Sequence, residues 1–210
     1  MLIKHRGASP IVDSSAYIAP NAVVVGRVKI GPKARVMYGA VVDSEGSKVL
    51  IGECTVICEN SSIRATASGD VDHPIIIGDN VFIGPHSSVQ GCTLEPNTYL
   101  ATGVTVLQGA KVKTGSVVAV GAFVHANAII PNDFFVPPNT VAIGNPVQIY
   151  SPDEREAMTK AIMSVGFAKI AFGIDVQGLS RAEIYKKATE LRSEEFGNHF
   201  DDIILDKNEG

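Results

Sequence analysis

Branched apolar residues recur along this chain every six positions: Ile18, Val24, Ile30, Val36 and Val42, then Ile51, Ile57 and Ile63, then Ile77, Ile83 and Val89. From Leu94 the same clock runs through Leu100, Val106, Val112, Val118 and Val124. Small or compact residues keep a fixed phase behind these anchors, at Thr98, Val104, Ala110, Ser116, Ala122 and Ala128, and Gly31, Gly52, Gly78 and Gly84 follow their anchors directly. A period of six suits neither a helix nor a simple alternating strand. It fits a coil with three short flat sides, each giving one large residue to the interior and one small residue near a corner. Residues about 18 apart then stack at a strand spacing of roughly 4.8 Å. The pattern predicts a mainly β, parallel β-helix of about seven coils over residues 1–150.

The clock slips at "DSEGSK" (43–48) and at "RATASGDVDHP" (64–74), which mark loops leaving the coil, and ends in the proline-rich "IIPNDFFVPPNTVAIGNPVQIY". Residues 151–210 read as a helical extension with an acidic tail. "SPDE" (151–154) offers a capping box and predicts a helix to about Ala171. A second box, "SRAE" (180–183), opens another helix with Ile184, Ala188 and Leu191 on one face and Gly197 at its end, while "DDIILDKNEG" reads as a fraying tail.

Composition narrows the function classes. Of 210 residues, 45% are hydrophobic, which suits one buried core, and no run of 18 apolar residues or secretory leader is evident. Three cysteines, Cys54, Cys58 and Cys92, form no paired CxxC motif, and a cytoplasmic protein with reduced thiols is expected. The net charge of -4 comes from the C-terminal extension, and basic runs are absent, so neither nucleic acid nor a membrane is expected as a partner.

The hexapeptide repeats, closing with "VPPNTVAIGNPVQ", resemble the left-handed parallel β-helix superfamily. Within it, "GAVVDSEGSKVLIGECTVICENSSIRA" (39–65), "IIIGDNVFIGPHSSVQGCTL" (75–94) and the proline-rich close resemble the γ-class carbonic anhydrases across residues 10–150. The resemblance implies a homotrimer with zinc between subunits, held by three histidines. In register, those ligand positions fall on Arg64, Pro85 and Gln90, the family's "RGD" falls on Asp43, Ser44 and Glu45, and the glutamine of its "QDN" falls on Cys58, beside Glu59 and Asn60. Arginine and proline are not zinc ligands. The expectation is therefore a zinc-free centre with no cofactor, not a carbonic anhydrase. Arg64 would bind a small carboxylate or an acyl (CoA) thioester, with Gln90, Asp43, His73 and His86 around it. Glu59 or Glu45 would serve as general base, for proton transfer, addition or elimination, as in a metal-free lyase or hydratase.

Four other readings stay open. A shifted metal site using His86, His73 and Asp70 or Asp72 is disfavoured, because neighbouring strand residues point oppositely. Cys58 beside Glu59 reads as wall packing more than as a nucleophile. A hexapeptide acyltransferase with His125 as base is one alternative function, and a non-catalytic scaffold trimer, in which Arg64 merely fastens subunits, is another.

Overall fold

A computed structural model describes residues 1–68 and 70–205. The clock closes into a left-handed β-helix, the fold the resemblance implied. Among the described residues, eight parallel strands from Leu2–Lys4 to Val141–Ile143 make one face, and two further faces hold seven each, from Ile11–Val12 to Ile129–Ile130 and from Tyr17–Ile18 to Phe135–Val136. That is seven full coils and the first side of an eighth. Parallel registers such as Ile83 beside Leu100 and Leu100 beside Val118 stack the anchors into columns. Ile30, Ile57, Ile63, Ile83, Leu100 and Val106 are at most 1% exposed, and so are the corner residues Thr98, Val104, Ala110, Ser116, Ala122 and Ala128.

The glycines after the anchors have a steric cause. A Cβ on Gly84 would lie 2.6 Å from the backbone carbon of Ala101 in the next coil, so any side chain there would push the two coils apart. The outer corners instead need a left-handed backbone. Asn60, Asn80, Asn97, Asn127 and Asn139 take it at φ 55–61°, since asparagine tolerates that region best among non-glycine residues. His86 is one of these corner residues, with φ 59°.

Three features differ from the sequence reading. The box at 151–154 does not cap a helix: Ser151 donates to the Glu154 carboxylate, but the helix begins only at Arg155, with Glu154 at its N-cap and no side-chain capping bond. The helix expected to run to Ala171 is broken into α1 (Arg155–Val165) and α2 (Phe167–Phe172), because Gly166 adopts φ 68° and ends the first helix in the left-handed conformation. α3 (Arg181–Gly197) carries the full capping box between Ser180 and Glu183 and buries Ala188 as expected. After a 3-10 turn (Asn198–Asp201), the supposed fraying tail forms a strand, Ile203–Leu205, antiparallel to Leu2–Lys4. Gln148–Tyr150 pairs likewise with Val141–Ile143 at the other end. An antiparallel strand thus ends the longest sheet on each side. Residues 206–210 lie outside the described residues. Among the described residues no helix is long and apolar enough to cross a membrane.

Candidate functional site

The parallel register places Asp43, Arg64 and Gln90 side by side at the same end of three successive strands. Arg64 Nε lies 3.3 Å from Glu45 Oε1, and its Nη2 lies 3.8 Å from Asp43 Oδ2. Asp43 and Glu45 are 3% exposed, whereas the Arg64 side chain is 42% exposed. Glu45 is fixed by a tight turn: its backbone takes φ 46°, and its N–H donates to Asp43 Oδ1 at 2.8 Å. Burial, reinforced by the Asp43 charge, pushes the Glu45 carboxyl above the usual carboxylate range, against the opposing pull of Arg64, His199 and Arg192. Gln108, buried one coil further on, donates to Gln90 Oε1 at 3.1 Å, and Gln90 donates in turn to Ser88 Oγ at 3.2 Å.

The C-terminal arm covers this cluster. Phe196 of α3 lies under the Arg64 guanidinium, 5.2 Å from ring centroid to carbon. His199, in the 3-10 turn, brings Nε2 to 3.8 Å from both Asp43 Oδ2 and Glu45 Oε2. Its Nδ1 donates to Asp202 Oδ2 at 2.9 Å, while the buried His5 donates from Nδ1 to Asp202 Oδ1 at 2.6 Å and stacks on His199 at 4.3 Å. His5, Arg192, Phe196, His199 and Asp202 were not singled out from sequence. They reach the site only because the arm folds back along the whole β-helix, a placement that no local spacing reports.

The remaining candidates lie elsewhere in the chain. Glu59 and His86 occupy corners before the strands that end in Arg64 and Gln90, joined by a bond from the His86 N–H to the Glu59 carbonyl. The turn at Glu59 and Asn60 and the strand Ser62–Arg64 put Glu59 and Arg64 at opposite ends of one side of the coil. His73, in the hairpin formed by Thr66–Ser68 and Val71–His73, donates from Nε2 to the Ile170 carbonyl at 2.8 Å, and Asp72 accepts from Ser47. His73 and His86 therefore do not converge on a shifted metal site. Burial raises the Cys92 thiol far above its ordinary range, and burial and then Glu59 raise Cys58, so both remain protonated thiols at neutral pH.

His125 lies near a separate apolar cavity of about 730 Å³, lined also by Leu107, Phe123, Phe167, Phe172 and Ile184. Burial holds the His125 imidazole below its usual range, against a backbone hydrogen bond at Ala126. Because the folded value is the lower one, the unfolded chain takes up a proton first as pH falls below about 6.5, and stability is lost there. His125→Phe is therefore expected to show a smaller drop in thermal midpoint between pH 7.5 and pH 5.5 than the parent chain.

No family model matches the chain. A gamma carbonic anhydrase 1, mitochondrial, of Arabidopsis thaliana is 42% identical over 107 residues, 50% of this chain and 38% of that protein. A carbonic anhydrase of Geobacillus kaustophilus is 33% identical over 149 residues, 71% of this chain and 76% of its own. The chain belongs to the γ-carbonic anhydrase family. It matches well under half the length of the Arabidopsis γ-carbonic anhydrases, including a second at 36% identity. The β-helix is also seen in a hexapeptide transferase family protein from Anaplasma phagocytophilum, at TM-score 0.54 and 24% identity, covering 95% of this chain and 97% of that one.

The positions to which the resemblance assigns zinc ligands offer a poor donor set. Pro85 has no side-chain donor atom, Arg64 presents only N–H groups and is already committed to Glu45 and Asp43, and Gln90 Oε1 accepts from Gln108.

Proposed function

We propose that this γ-carbonic anhydrase family chain assembles as a homotrimer whose centre, in place of the family zinc, is an arginine site for a small carboxylate or the carbonyl of an acyl thioester. The observation that carries the reading is the fixing of Arg64 on one edge by Glu45 and Asp43 and on one face by Phe196, while its side chain stays 42% exposed. A guanidinium held this way is pre-organised: little side-chain freedom remains to be lost when further N–H groups bind an anion in a paired geometry. Gln90, its neighbour in register, supplies a second polar group.

Such a centre stabilises negative charge developing on a carbonyl oxygen. Proton transfer, addition or elimination beside a carboxylate or thioester suits it. Within one chain Glu45 is occupied in holding Arg64, so Glu59, the other candidate base, is the proton acceptor this reading assigns. His73, tied to α2, and His86, on its corner, would line the approach. The placement of the protein in the cytoplasm belongs to the same reading, and no nucleic acid or membrane takes part in it.

The experiment is a titration of small mono- and dicarboxylates, by calorimetry, into the parent chain, Arg64→Lys and Arg64→Ala, with sedimentation of each. Arg64→Lys keeps the charge but loses the planar fork. Affinity for the best carboxylate is expected to fall about tenfold in Arg64→Lys, the equivalent of ~1.4 kcal/mol, and further in Arg64→Ala, with the trimer intact. Unchanged affinity in both variants, together with a weakened trimer, would mean that Arg64 only fastens subunits.

A further inference from the structure

Three atoms at the junction of the β-helix and the C-terminal arm face one another with no hydrogen bond joining them. Asp43 Oδ2, Glu45 Oε2 and His199 Nε2 all lie within 4.8 Å of each other, and His199 Nε2 is 3.8 Å from each oxygen. That distance is too long for a hydrogen bond. It is close to the spacing of two ligands on one zinc ion, about 3.4 Å for bonds of 2.0–2.2 Å at a tetrahedral angle.

The companion atom of each group is already engaged. Asp43 Oδ1 accepts the Glu45 backbone N–H, Glu45 Oε1 faces Arg64 Nε, and His199 Nδ1 donates to Asp202. The last bond fixes the tautomer, so a neutral His199 turns a lone pair, not a proton, toward the two carboxylates. A carboxylate that orients a histidine through its far nitrogen is the usual outer partner of a metal-ligating imidazole. Glu45 adds an independent observation: it is 97% buried, and neither of its oxygens accepts a hydrogen bond. Arg64 offsets the two carboxylates from one side, through Glu45 Oε1 and, at 3.8 Å, Asp43 Oδ2; on the His199 side two carboxylate oxygens and an imidazole nitrogen converge with no cation between them.

We propose that Asp43, Glu45 and His199 bind a divalent zinc-type cation that clips the C-terminal arm to the β-helix. The site is distinct from the family's zinc position and does not rest on the carboxylate-binding reading. The sequence, which led to an expectation of no metal, hid it because His199 and Asp43 are 156 residues apart. Arg64 approaches Glu45 through its other oxygen and Asp43 through the shared Oδ2 at 3.8 Å, so the cation and the guanidinium hold the two carboxylates between them. Ligation at this spot is structural: it fixes the helix end that carries Phe196 under Arg64.

The test uses the full chain, stripped with EDTA and dialysed, then titrated with zinc chloride by calorimetry and assayed for bound metal after gel filtration. The parent chain is expected to retain one zinc per chain and to gain in thermal midpoint, a gain that EDTA reverses. Zinc affinity is expected to fall at least tenfold in His199→Ala and in the isosteric Glu45→Gln, and to stay unchanged in His86→Ala. Circular dichroism confirms that each variant is folded. Failure of the parent chain to retain zinc would overturn the proposal. So would retention that survives either His199→Ala or Glu45→Gln. Carboxylate affinity measured in the same stripped protein separates failure of this clip from failure of the Arg64 site.

Discussion

Replacing Leu100 with alanine is expected to destabilise the chain by about 2–5 kcal/mol, whereas Tyr99→Ala beside it should cost only about 1 kcal/mol. Leu100 is wholly buried between Ile83 and Val118 in the column of one face. Removing three carbons there leaves a cavity that the neighbouring coils cannot close, because each is held at a fixed spacing by its own ladder of backbone bonds. Tyr99 is 44% exposed and loses mainly its stacking on Phe82, at 5.0 Å between ring centroids. Chemical denaturation of the two variants makes the comparison, and the larger loss corresponds to roughly 10 °C in thermal midpoint. Equal losses at the two positions would contradict the inward assignment of the six-residue anchors.

That assignment was legible because the coil repeats one physical demand. Every sixth side chain meets the interior, so Ile83, Leu100 and Val118 announce themselves by spacing alone. Glycine at 84 was legible for a related reason, since the next coil passes at backbone contact. The break at Gly166 was less visible: one glycine in an apolar helical pattern reads as tolerable until its φ is known.

The site divided along the same line. Asp43, Arg64 and Gln90 end strands of the coil, and the resemblance had already grouped them, with Glu45, before strand register placed three of them side by side. The arm does not repeat. Ile203 and Ile204 are 54% and 64% exposed, so their pairing with Leu2–Lys4 rests on backbone hydrogen bonds, which carry almost no sequence signal. The β-branched pair in "DDIILD" was the one local sign of a strand, and the flanking acids outweighed it. His5 shows the cost of that omission most clearly, because a histidine two residues past the apolar pair Leu2–Ile3 has no evident use until Asp202 is placed against it.

Asp202→Asn is expected to destabilise the folded chain by about 2–3 kcal/mol at neutral pH and to loosen the arm before the β-helix unfolds. The carboxylate accepts from both His5 and His199, and His5 is 1% exposed with its other ring nitrogen already lacking a partner. An asparagine of the same shape has one acceptor oxygen and an NH₂ that faces an N–H, so one buried histidine donor goes unsatisfied. The pH dependence follows from the carboxyl itself. Burial pushes it up, but the bonds from His199 and His5 together outweigh burial and hold it below the ordinary value of 3.8. A carboxyl depressed on folding gives a contribution that is complete above its unfolded value and is lost as pH falls through the lower folded one. The stability gap between the parent chain and Asp202→Asn should therefore be full at pH 6, begin to narrow below about pH 4 and close further toward pH 2. Amide exchange along Ile203–Leu205 is the finer measurement: protection there should drop in the variant while that of the Leu100 coil holds. A gap that stayed constant to pH 2, or an arm as protected as before, would mean that Asp202 only accompanies the arm and does not fasten it.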